Sequence, residues 1–93
     1  MSYILLRSTA FARAAKKFIK RTPAAAADLE TALYQLEQNP SHISLKTHRL
    51  KGNLKGSWAC SAGYDLRIIF KIVRHEGKEA ILLQSIGTHD EVY

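Results

Sequence analysis

The chain has 93 residues, 46% of them hydrophobic and 24% charged, which suffices for one core and is too short for two. Fourteen Lys and Arg against eight Asp and Glu leave a charge of +6 at pH 7, a balance that favours a polyanionic partner. A single cysteine, Cys60, excludes an intrachain disulfide and a cysteine-based zinc site, and no apolar run is long enough for a membrane span or shaped like a signal peptide. The expectation is one soluble, cytoplasmic domain over residues 1–93.

Tyr3 to Arg7 reads as a short strand, followed by Ser8 and Thr9 as helix caps. Phe11, Ala15, Phe18 and Ile19 then recur at helical spacing, with Arg13, Lys16, Lys17 and Lys20 on the other faces. Thr22-Pro23 predicts the start of a second helix, with Thr22 as N-cap and Pro23 in the first helical position. Ala26, Leu29, Leu33 and Leu36 carry its apolar stripe, and Asn39-Pro40 ends it, because the residue before proline resists the α region. The two helices form a helical hairpin.

Residues 41–56 are polar and glycine-punctuated, with Lys46, Arg49, Lys51 and Lys55 and no acid. Ser57 to Ala62 forms a weakly patterned strand. Leu66 to Val73 alternates clearly, placing Leu66, Ile68, Phe70 and Ile72 on a core face and Arg67 and Lys71 on a solvent face. His75-Glu76-Gly77-Lys78 is a turn, Ala80 to Ile86 is its partner strand, and Gly87 closes that strand. The order is β-α-α-β-β-β, an α+β fold with the helices on one face of an antiparallel sheet.

No phosphate-binding glycine loop, hydrolase elbow, zincin helix or paired-cysteine motif occurs. What remains is a set of titratable and cationic residues in the second half: His48, Asp65, Arg67, His75, His89 and Tyr93. Metal-free RNA cleavage needs only such a set. One group takes the 2′-hydroxyl proton, another protonates the leaving 5′ oxygen, and cations stabilise the phosphorane. Histidine suits both proton roles because its pKa lies near ~6.5. Each residue also has a plain structural role open to it: a solvated loop for His48, a hairpin turn for His75, a tail for His89, a strand start for Asp65. The histidine spacings match no metal motif, so neither metal nor cofactor is expected.

The elements Thr47-His48-Arg49-Leu50-Lys51-Gly52, Gly56-Ser57-Trp58, Gly63-Tyr64-Asp65-Leu66-Arg67 and Ile86-Gly87-Thr88-His89-Asp90-Glu91-Val92-Tyr93 together resemble the RelE/ParE superfamily of bacterial toxins, and most of all its RelE/StbE, YafQ-like branch. The resemblance implies a type II toxin: an endoribonuclease that cuts mRNA in the ribosomal A site and is held inactive by an antitoxin. It implies acid–base roles for His48, Asp65 and His89, phosphate stabilisation by Arg67, and RNA orientation by Tyr93. The basic residues Lys46, Arg49, Lys51, Lys55 and Lys71 are the expected RNA contacts, and the expected partners are an acidic antitoxin and mRNA on the ribosome. The branch carries a further histidine just before the central strand, where this chain reads Cys60-Ser61-Ala62-Gly63. Two other readings share the fold: a ParE-like toxin that poisons gyrase without acid–base residues, and a nucleic-acid-binding module without activity.

Overall fold

A computed structural model describes residues 2–92, apart from the side chains of Asp90 and Glu91. Strand β1 (Ile4–Arg7) leads into α1 (Thr9–Arg21) and α2 (Ala25–Gln38), and β2 (His48–Arg49), β3 (Trp58–Ala62), β4 (Leu66–His75), β5 (Lys78–Thr88) and the short α3 (His89–Val92) follow. The five strands form one sheet in the order β1-β5-β4-β3-β2. The expected α+β fold is the one observed. The strands of the second half are antiparallel to one another, and β1 joins them as a parallel edge on β5.

Helix α1 starts as its sequence predicts. Ser8 is extended, and its Oγ accepts from the Phe11 amide at 3.0 Å. Phe11, Ala15 and Phe18 are buried and face the sheet. Thr22 does not cap α2. Its amide donates to the Phe18 carbonyl and closes α1, while its own carbonyl accepts from Ala25, so α2 begins through backbone bonds with no side-chain cap. Leu29, Leu33 and Leu36 of α2 enter the same core.

The phase of β4 is as expected: Leu66, Ile68 and Phe70 are buried against the helices, with Ile72 half-buried beside them. β4 and β5 are joined by Glu76 and Gly77, both at positive φ (51° and 79°), the mirror-image turn that matches strand twist. Gly87 does not close β5; it lies within the strand, opposite Arg67. A bulge sits between the pairs Ile69–Ser85 and Phe70–Leu83, leaving Gln84 as an extra residue. It shifts the alternation by one, so that Ile86 joins Ile81 and Leu83 in the core. Gln84 also ties elements together, since its carbonyl accepts from Ser8 Oγ and its Oε1 from Ser57 Oγ at 2.8 Å.

Residues 41–56 are more ordered than their composition predicts. Two 3-10 turns, Ile43–Leu45 and Gly52–Leu54, flank β2, and Leu45 is fully buried in the main core. No helix among the described residues is long and apolar enough to cross a membrane.

Candidate active site

The sheet face away from α1 and α2 is where the chemistry-bearing side chains gather. Strand pairing fixes two neighbouring rows on it: His48–Ala59–Ile69–Ser85 and Ser61–Arg67–Gly87. With strands about 4.8 Å apart and about 3.4 Å per residue, the Cα atoms of His48 and Arg67 stand roughly 12 Å apart. This face is not fully open at its centre. Ile69 is only 3% exposed, and Arg67 and Lys71, expected in solvent, are half-buried beside it.

A cleft of about 440 Å³ opens at the β3–β4 end of this face, lined by Ser44, Lys46, Ser61, Gly63, Tyr64, Asp65 and Arg67. Its floor depends on the turn from Gly63 to Asp65. Gly63 has φ +70°, and the Asp28 carboxylate of α2 lies so close that a Cβ there would collide with it. Held by that turn, Asp65 Oδ1 accepts from the His89 amide at 3.4 Å. Asp65 therefore joins the start of β4 to the start of α3 and fixes where His89 leaves the sheet. Arg67 Nη1 donates to the carbonyls of Leu66 (3.1 Å) and Tyr64 (3.3 Å), so one nitrogen orients a guanidinium that carries five N–H donors.

His48 is exposed at the sheet edge, with Nδ1 3.1 Å from the Lys46 carbonyl. A carbonyl oxygen only accepts, so this bond requires the proton on Nδ1 and, in the neutral ring, leaves the lone pair on Nε2. Lys46 itself is at positive φ (51°), closing the 3-10 turn that buried Leu45 anchors. Ser61 occupies the row of Arg67 and supplies a hydroxyl, which does not transfer protons at neutral pH as an imidazole does.

The basic residues do not form one surface. His48 and Arg49 are neighbours on a two-residue strand and point to opposite faces. Arg49 stacks on Trp58, 5.0 Å from its ring centre, and with Lys51 and Lys55 lines a separate cleft of about 520 Å³. Lys46 and Arg67 share the first cleft, and Lys71 lies four residues further along β4 on the same face. Tyr93 lies outside the described residues. His75 pairs with Lys78 at the far end of the hairpin, away from the cleft.

Two residues of the cleft, and Asp28 packed close to its Gly63, were not singled out from the sequence. Tyr64 is 98% exposed at its rim, and a glycine-flanked aromatic in a turn is the signal that could have marked it. Ser44, whose Oγ bonds Gln35 Oε1 (2.8 Å) and His42 Nδ1 (2.7 Å), gives no local signal because its role depends on the fold. The same is true of Asp28. Cys60 is fully buried under this region, and burial pushes its thiol up to about 12 against the opposing charge of Arg67. It is a core residue. Among the described residues no three His, Cys, Asp or Glu side chains converge as metal ligands would.

The fold is shared with known toxins. YafQ from E. coli matches with a TM-score of 0.78 at 18% identity, covering 98% of both chains. A YoeB/ParE toxin from Agrobacterium tumefaciens matches at 0.73 and 16%, covering 92% of this chain and 98% of that one. The RelBE2 toxin–antitoxin complex from Mycobacterium tuberculosis matches at 0.70 and 19%, covering 96% of this chain and 100% of that one. No curated protein matches the chain closely enough to count as a relative. The family model described as the bacterial toxin of type II toxin–antitoxin systems, YafQ, matches residues 3–93, so nearly the whole length is accounted for. The chain belongs to the YafQ family of type II toxins.

Proposed function

We propose that this toxin is a ribosome-dependent endoribonuclease that cuts mRNA in the A site by attack of a 2′-hydroxyl on the adjacent phosphorus. The observation that carries the reading is the grouping, on one sheet face and its open end, of His48, Arg67 and an Asp65-bound His89. A protein that only docked on gyrase would have no use for two histidines and an oriented arginine so arranged.

In this mechanism His48 Nε2 takes the 2′-hydroxyl proton, the oxygen bonds to phosphorus, and His89 protonates the departing 5′ oxygen. Arg67 and Lys46 neutralise the charge on the phosphorane, in a partly desolvated cleft where such contacts are worth most. The Tyr64 ring offers a stacking surface for a base next to the cut, and Tyr93 orients the RNA as the family resemblance implies. The second cleft, with Arg49, Lys51 and Lys55, takes flanking phosphates of the same strand. With so few chemical groups, attack geometry depends on the ribosome holding the mRNA, and free RNA is a poor substrate. An acidic antitoxin neutralises the protein by covering these cations. Incubating the purified protein with translating ribosomes and mapping mRNA 5′ ends tests the reading. Gyrase-dependent DNA breaks with no mRNA cleavage would overturn it.

A further inference from the structure

Helix α1 carries five cations and no acid in thirteen residues. At 100° per residue, Arg13, Lys16, Lys17 and Lys20 fall within about 100° of arc and span about 10 Å along the axis. All four are exposed, directly opposite the buried stripe of Phe11, Ala15 and Phe18. Their spacing is i, i+3, i+4 and i+7, where like charges repel and cost about 0.2–0.5 kcal/mol per pair. Among the described residues none offers these four an ion-pair partner. Lys20, with Arg21, suits the negative end of the helix dipole, but Arg13, Lys16 and Lys17 gain nothing from it. Helix stability is thus lowered by an arrangement that the fold does not use.

The partner's chemistry follows from what the stripe lacks. Among the described residues the exposed large apolar ones are Ile4, Tyr34, Ile43, Leu54 and Tyr64, none of them on α1. Protein–protein interfaces centre on aromatic and apolar anchors and are depleted in lysine, so a lysine-rich stripe without an anchor fits a protein poorly. It fits a nucleic-acid backbone well. A duplex carries one charge per about 1.7 Å of axis with both strands counted, about 3.4 Å per strand, so a 10 Å stripe runs past about three phosphates of each strand. Because α1 packs on the sheet through the opposite side, the stripe and the His48–Arg67 face lie on opposite sides of a molecule 27–37 Å across.

We propose that Arg13, Lys16, Lys17 and Lys20 form a second docking surface, for the phosphodiester backbone of a nucleic-acid duplex, on the side of the protein away from the acid–base face. One polyanion is gripped by the helix layer while another strand is presented to the sheet. The surface stands apart from the nuclease reading, which supplies only the expectation that the duplex is RNA.

The test compares the wild-type protein with the fourfold variant Arg13→Gln, Lys16→Gln, Lys17→Gln, Lys20→Gln. Glutamine keeps helix propensity, so the variant should fold with an equal or higher melting temperature. Binding to a labelled RNA duplex of about 20 base pairs, a DNA duplex of the same sequence and a polyglutamate peptide is followed by anisotropy from about 50 to 200 mM salt. The variant should lose about 3–4 from the slope of log K against log salt, near 0.9 per phosphate contact, on the RNA duplex. A matching loss on DNA supports backbone recognition, and a loss confined to RNA supports recognition of the A-form backbone. An unchanged slope on both duplexes overturns the proposal, as does a loss seen only with polyglutamate. Wild-type protein that fails to cut mRNA on ribosomes would remove the nuclease reading and leave this slope as predicted.

Discussion

Gly63→Ala is the substitution that most sharply probes how the cleft is built. The residue sits at φ +70°, so any L side chain costs about 1–2 kcal/mol there. The new methyl also meets the Asp28 carboxylate, which must leave its rotamer at a cost of about 0.5–1.5 kcal/mol. The expected loss is therefore about 2–3 kcal/mol. At about 2.1 cal/mol/K per residue, a chain of 93 residues should then melt about 10–15 °C lower. In an Asp28→Ala background only the contact with the residue-28 methyl remains, at 3.1 Å, and Gly63→Ala should cost about 1–2 kcal/mol. Urea unfolding of the four proteins gives the coupling directly, expected at about 1 kcal/mol. Asp28→Ala alone should cost about 0.5 kcal/mol, through its place in the first turn of α2. Equal costs of Gly63→Ala in both backgrounds would refute the close approach, and a cost below about 0.5 kcal/mol would refute the left-handed turn.

Other expectations are simpler to state. Phe70→Ala, at 1% exposure between Trp58 and Leu83, should cost about 3–5 kcal/mol in denaturant unfolding. Cys60 should resist thiol reagents in the native protein, and labelling should follow unfolding. Its folded pKa is raised from 9.0 to about 12, so its stabilising share is complete below pH 9 and is lost as pH rises toward 12, by about 1.4 kcal/mol per unit. Wild-type protein compared with Cys60→Ala across that range reads the effect. His48→Ala and His89→Ala should each slow ribosomal cleavage by about 10²–10⁴ with little change in melting temperature.

Much of the fold was legible because periodicity records it. The alternation of Leu66, Ile68, Phe70 and Ile72 fixed which face of β4 is buried, and the Phe11–Ala15–Phe18 spacing fixed the inner side of α1. The parallel pairing of β1 with β5 was not legible, since a four-residue strand at one end of the chain carries no signal of its partner. Nor was the bulge at Gln84, where two serines distant in sequence donate to one residue's oxygens. In the site, His48, Asp65, Arg67 and His89 could be named from motif positions; strand pairing sets His48 and Arg67 on one face of the sheet, and Asp65 accepts from the His89 amide where β5 ends. The division of the basic stretch was hidden. It depends on β2 being two residues long, so that His48 and Arg49 part company at the strand edge. Ser44 reaches the cleft, and Asp28 the Gly63 turn, only through tertiary packing, which no local pattern encodes.

The chemistry of the cut ends tests the central claim most directly. Wild-type protein is incubated with programmed ribosomes in the presence and absence of EDTA, with ribosome integrity controlled, and both ends of each mRNA fragment are identified. Attack by the 2′-hydroxyl, with His48 and His89 moving the protons, predicts a 2′,3′-cyclic phosphate or 3′-phosphate on one fragment and a 5′-hydroxyl on the other, formed equally well with EDTA and lost in the His48→Ala, His89→Ala double variant. Fragments ending in 5′-phosphate, or full cleavage by the double variant, would contradict it.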